Sequence, residues 1–157
     1  MADAIFKRTT FVVPNAEQAA KFYMHVFGMT KWYDNRVPVH EAFPPAAPHW
    51  APCHLILLKA DDPTIGMLGL LQYLDQPFDS GVVTGRTRVR MGETLLVFET
   101  KDLDGVYRRT LEAGGATVIA PPTDWDVPSH DGKSKILLRT MSMFDPNGIY
   151  MEVNQKR

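Results

Sequence analysis

Glu152 lies near the carboxy end of the chain in the run FDPNGIYMEV. On an extended segment it shares a face with Tyr150, two residues before it. A carboxylate beside a phenol can hold a ligand by charge and hydrogen bonding, or act as a general base. A second group of chemically able residues, His40, Glu41, His49 and His54, gathers around a stretch over 37–52 that holds Pro38, Pro44, Pro45, Pro48 and Pro52. Together with Glu152 these residues offer imidazole and carboxylate donors to a divalent metal, although their spacing matches no ligand motif. A Pro-rich loop of this length is expected to cover a site. His54 begins a predicted strand, where it could carry a proton or hydrogen-bond a substrate.

Other combinations carry less. Cys53 stands beside His54, but neighbours on a strand face opposite ways, so a thiol and base pair is disfavoured and a buried inert cysteine is expected. Ser129, His130 and Asp131 are consecutive and cannot converge as a triad, so they fit a hairpin tip. Asp124, Asp126 and Asp131 lack the spacing of a calcium loop. Arg86, Arg88 and Arg90 alternate and would form one basic stripe on an extended segment, expected as a solvated edge. His25 is expected at the surface of a helix.

These residues need a scaffold, and the chain is long enough for one. Its 157 residues are close to one domain at about 150 residues per domain. Hydrophobic residues at 45% and charged residues at 22% exclude a wholly disordered or fibrous chain. Seventeen Lys and Arg against eighteen Asp and Glu leave a net charge of −1. That balance supplies no field toward nucleic acid or an acidic membrane, and neither partner is expected. No apolar run approaches the roughly 20 residues that span a bilayer, and the start MADAIFKRTT lacks the pattern of a leader. A cytoplasmic location is expected, and a single cysteine, Cys53, agrees with a reducing compartment.

The scaffold repeats itself. NAEQAAKFYMHVFG, Asn15 to Gly28, aligns without a gap on DLDGVYRRTLEAGG, Asp102 to Gly115. Each begins with an N-cap residue, carries an apolar stripe at helical spacing and ends on glycine, which predicts two amphipathic helices. Gln18 adds a capping-box partner to the first. Each helix follows a β-rich run, IFKRTTFVV or ETLLVFET. Further strands are predicted at Met29 to Tyr33, Cys53 to Lys59 and Gly66 to Tyr73, then at Thr117 to Ala120, Lys135 to Met143 and Ile149 to Asn154. An Asp-Pro turn, Asp62-Pro63 or Asp145-Pro146, precedes the last strand of each half. The reading is an α+β chain of two βαβββ modules in tandem: module one over 1–75, a linker over 76–92 and module two over 93–157.

AEQAAKFYMHVFGM and FDPNGIYMEV resemble the helix and the closing turn and strand of the vicinal oxygen chelate superfamily, which includes glyoxalase I, bleomycin resistance proteins and extradiol dioxygenases. The resemblance covers nearly the whole chain. It implies curved mixed sheets enclosing a cavity and a divalent metal held by His or Gln on the first strand and Glu on the last strand of each module. Open metal positions would let a substrate's neighbouring oxygens chelate. Carried onto this chain, the four positions fall on Arg8 and Leu95 in the first strands and on Gly69 and Glu152 in the last. Only Glu152 is of the expected type.

The expectation that follows is a binding protein of the sequestration or resistance type, without the four-ligand metal site. Arg8, His54, Tyr150 and Glu152 would contact a small organic ligand, and an Arg8–Glu152 ion pair would stand where the metal would otherwise sit. The alternative is a lyase, isomerase or dioxygenase. It would use Glu152 as the catalytic residue, either as a metal-free base or with non-standard metal ligands such as the loop histidines. The resemblance also implies a homodimer.

Overall fold

The computed structural model describes residues 4, 6–40, 42, 44, 50–62, 65–75 and 85–157. The chain divides into two compact units, Met1–Gly81 and Val82–Arg157. The first runs β1 (Arg8–Val12), α1 (Ala16–Phe27), β2 (Thr30–Val39), β3 (Ala51–Lys59) and β4 (Met67–Tyr73). The second repeats it as β5 (Leu95–Glu99), α2 (Leu103–Ala113), β6 (Thr117–Pro128), β7 (Lys135–Phe144) and β8 (Tyr150–Lys156). Each unit holds one open four-stranded mixed sheet, ordered β1-β4-β3-β2 in the first and β5-β8-β7-β6 in the second. The first and last strands of each unit pair in parallel and the other neighbours are antiparallel. This is the duplicated α+β architecture that the sequence repeat predicts.

Local chemistry sets the helix boundaries. Asn15 accepts a hydrogen bond from the Gln18 N–H at 2.9 Å, and Gly28 closes α1 at φ 68°. Asp102 accepts from the Gly105 N–H at 2.9 Å. The second helix closes on Gly114, one residue before the predicted Gly115; both glycines have positive φ, and the chain leaves the helix at the first of them, at φ 70° and ψ 173°, a conformation open to glycine. A further cap comes from the sheet. The Gln72 side chain accepts from the Ala16 N–H, and the Gln155 side chain accepts from the Leu103 N–H, each at 3.0 Å. The last strand of each unit therefore satisfies a free donor in the first turn of its own helix.

That contact identifies the sheet face each helix covers. α1 packs on β3 and β4, burying Ala16, Ala19, Ala20, Tyr23 and Val26 along one stripe, while Ile56, Leu58, Leu68 and Leu70 are buried on the strands. Of these, Val26, Ile56, Leu58, Leu68 and Leu70 each contribute about 1.5–3 kcal/mol by withdrawal from water. In the second unit α2 packs on β6, β7 and β8, with Leu103, Val106, Met141, Met143, Met151 and Val153 buried.

The edge strands β2 and β6 run longer than predicted, because Pro38, Pro121 and Pro122 are tolerated where no neighbour needs their missing N–H groups. β6 loses register between Val118 and Ala120 and again between Ala120 and Thr123, around that proline pair. Ser129, His130 and Asp131 sit at the β6–β7 turn, where the Ser129 hydroxyl bonds Asp131 at 2.6 Å, as expected of a hairpin tip. No described helix is long and apolar enough to cross a membrane.

Candidate functional site

Strand alternation gives each sheet a second face, turned away from its helix. In the second unit this face carries Leu95 and Val97 of β5, Tyr150, Glu152 and Asn154 of β8, and Thr140, Ser142 and Phe144 of β7. The register sets Glu152 between Val97 and Ser142, and Tyr150 between Leu95 and Phe144. Tyr150 and Glu152, the pair singled out in the sequence, are in contact: the phenol donates to Glu152 Oε1 at 3.2 Å. Burial pushes the Tyr150 phenol above its ordinary range, a hydrogen bond with Ser142 opposes this, and the negative Glu152 adds to the rise. Tyr150 therefore keeps its proton and serves as a donor.

Sequence reasoning missed the polar chain beside this pair. Trp125 Nε1 donates to the Thr140 hydroxyl at 2.6 Å, and that hydroxyl donates to Asn154 Oδ1 at 2.6 Å. Thr140 and Ser142 alternate along β7, and pairing that strand with β8 would have placed them next to Asn154 and Glu152. At the turn end of the same face, Phe144 packs edge-on against Tyr150, with centroids 5.3 Å apart. The Arg86 guanidinium lies over the Phe144 ring, 5.1 Å from its centroid. Arg86 also donates to the Gly148 carbonyl at 3.2 Å and pairs with Glu93. The expected solvated stripe is corrected at this residue: Arg86 folds back onto its own unit, while Arg88 and Arg90 are exposed.

In the first unit the face turned from α1 carries Arg8, Thr10 and Val12 of β1, with Gly69, Leu71, Cys53 and Leu55. The register pairs Thr10 with Gly69 as it pairs Val97 with Glu152, so Gly69 is the counterpart of Glu152 in the repeat. A side chain there would collide with the Thr10 side chain, whose Oγ1 is the nearest atom to where a Cβ would stand. Arg8 is exposed. Cys53 is fully buried in an apolar cluster with Ala51, Leu71 and Tyr73, and burial pushes its thiol up, as suits an inert cysteine.

His54 is not on that face. It alternates with Cys53 and Leu55 and lies on the side covered by α1, so the expectation that it lines a binding cavity is corrected. Its Nε2 lies 2.6 Å from Asp34 Oδ1. Lys31 donates to Asp34 at 2.6 Å and to Glu17 of α1 at 2.7 Å. A β-bulge between Lys31 and Tyr33 makes this arrangement, turning Lys31 to the same side as Asp34. The hydrogen bonds from His54 and Lys31 hold the Asp34 carboxyl below the usual carboxylate range. Glu17, Asp34 and His54 bring ligand atoms within 4.8 Å of one another. The Lys31 ammonium already bonds both carboxylates, so the group is a satisfied helix-to-sheet network. Of the other loop residues, His40 packs edge-on against Trp50, 5.5 Å between centroids, and Glu41 and His49 lie outside the described residues.

The positions that the superfamily resemblance assigns to metal ligands hold a guanidinium (Arg8) and no side chain (Gly69) in the first unit, and an alkyl group (Leu95) and one carboxylate (Glu152) in the second. A divalent transition metal needs several imidazole, carboxylate or thiolate donors. This set does not fit one.

With the fold and these faces described, the family follows. Residues 5–153 match the model of the Glyoxalase/Bleomycin resistance protein/Dioxygenase superfamily, and the chain belongs to it. Among solved structures, a glyoxalase family protein from Bacillus cereus is similar over 99% of this chain and 98% of its own, at 16% identity and a TM-score of 0.76. TioX from Micromonospora sp. ML1 is similar over 98% and 100% of the two chains, at 16% identity and a TM-score of 0.56. A V278E mutant of glyoxalase I from Zea mays is similar over 95% of this chain and 45% of its own, at 17% identity and a TM-score of 0.62. At these identities the likeness is one of fold. No curated protein matches the chain.

Proposed function

We propose that the protein binds a small organic molecule on the sheet faces turned away from its helices, as a sequestering or resistance protein would, and that no divalent metal takes part. The observation that carries this reading is the donor set at the four superfamily positions, where only Glu152 could ligate a metal. Glu152 and Tyr150 supply an acceptor and a donor side by side, and Arg8 would hold an anionic or carbonyl group. A homodimer is the expected assembly, by analogy with the superfamily, and a cytoplasmic location agrees with the single cysteine, Cys53.

One observation favours a second reading. The hydrogen bond from Tyr150 to Glu152 is the kind of contact an acid–base pair uses, so a metal-free lyase or isomerase with Glu152 as base is the alternative. The other form of this alternative, Glu152 with non-standard metal ligands such as the loop histidines, would have to compete with Asp34 for His54, whose Nε2 lies 2.6 Å from Asp34 Oδ1.

Native mass spectrometry of the purified chain, with a melting-temperature screen of small aromatic compounds, tests the proposal. The expected result is an organic adduct or stabilising compound that is recovered unchanged and is weakened by Glu152→Gln. Recovery of a converted product would favour the enzyme. A screen without any stabilising compound would contradict the binding reading.

A further inference from the structure

The charges on the face turned from α2 do not balance. Lys156 is paired with Glu99 at 3.0 Å, and Arg86 is paired with Glu93. Arg139 turns to Asp104 at 2.7 Å. Glu152, half-buried, accepts from the Tyr150 phenol, and among the described residues of its unit it has no cationic partner. A phenol leaves the carboxylate's formal charge uncompensated, and a partly desolvated anion gains more from a cation than a water-exposed one does.

The surroundings specify what kind of cation. Leu95 and Val97 of the same face are 49% and 64% exposed, and Trp125 is 49% exposed, so an apolar body has surface to cover beside the carboxylate. The Trp125 N–H and the Thr140 hydroxyl are engaged with each other and with Asn154, which leaves the indole ring as a contact surface. The face already accepts one cation by ring contact, the Arg86 guanidinium over Phe144. We infer that the second unit's face selects an organic monocation, a protonated amine or amidine on a flat apolar body, whose charged nitrogen donates to Glu152. This rests on the small-molecule reading above and assigns the chemistry of the ligand's end at Glu152.

Calorimetric titration with three matched probes tests it: 2-naphthylmethylammonium, 2-naphthalenemethanol and 2-naphthoate, at neutral pH and low salt. The ammonium is expected to bind at least about tenfold more tightly than the alcohol, about 1.4 kcal/mol, with the carboxylate weakest. In Glu152→Gln the ammonium and alcohol should bind within about twofold of each other, and retained alcohol binding shows that the face is intact. Glu99→Gln, which removes a carboxylate already paired with Lys156, should keep the preference. Equal binding of ammonium and alcohol to the unmodified protein would overturn this inference and leave the small-molecule reading standing. A preference that appears only in Arg8→Ala would mean that Arg8 already satisfies the carboxylate, and would overturn it as well. Failure of all three probes would count against both.

Discussion

Asp34 shows how one residue couples function-like chemistry to plain stability. It lies on β2 between the His54 imidazole and the Lys31 ammonium, and Lys31 in turn reaches Glu17 in the first turn of α1. Replacing Asp34 by Ala would strand a buried imidazole nitrogen, a change that costs about 1–3 kcal/mol. Urea denaturation at neutral pH should register a loss of that size, and an unchanged midpoint would contradict the network. The sign of its pH dependence follows from the lowered carboxyl. Folded Asp34 holds its proton less tightly than at its ordinary 3.8, so its contribution is present above that value and is lost as pH falls through the lower folded value. The unmodified protein should therefore lose stability more steeply on acidification below about pH 4 than Asp34→Ala does.

At the scale of elements, the last strand of each unit caps its own helix. Gln72 serves the Ala16 N–H and Gln155 serves the Leu103 N–H. Each change, Gln72→Ala or Gln155→Ala, is expected to lower stability by about 0.5–2 kcal/mol, the range of a helix cap. Glu at either position, which keeps an acceptor, should restore most of the loss in thermal melts; no loss in either Ala variant would show that water replaces the cap. The strands and helices themselves were legible in the sequence, because Asn15, Asp102 and the glycines are local signals and the apolar stripes have a helical period. What stayed hidden depends on pairing across the sheet. The bulge that turns Lys31 toward Asp34 leaves no local signature, and so His54, placed on the cavity side by its sequence position, lies under α1. Ser142 and Thr140 joined the site only through the register of β7 on β8. The extensions of β2 and β6 run through prolines, which as punctuation argue for loops and which an edge strand accommodates.

At the scale of the whole molecule, duplication explains both the family membership and the proposed departure in function. The repeat places equivalent positions on the helix-free face of each unit, and the resemblance to the superfamily assigns its ligand positions to Arg8, Gly69, Leu95 and Glu152. The structure adds that Gly69 and Glu152 hold the same register against their first strands, and that Thr10 fills the space beside Gly69. Ligand identity was not legible, since it depends on which face each side chain takes and on residues brought together from separate strands.

The most direct test is elemental metal analysis of untagged protein purified without chelator, followed by add-back of Mn, Fe, Co, Ni and Zn. Metal well below one ion per chain is expected, with no stoichiometric uptake on add-back. Near one transition-metal ion per chain would contradict it, because Arg8, Gly69, Leu95 and Glu152 could not together hold that ion.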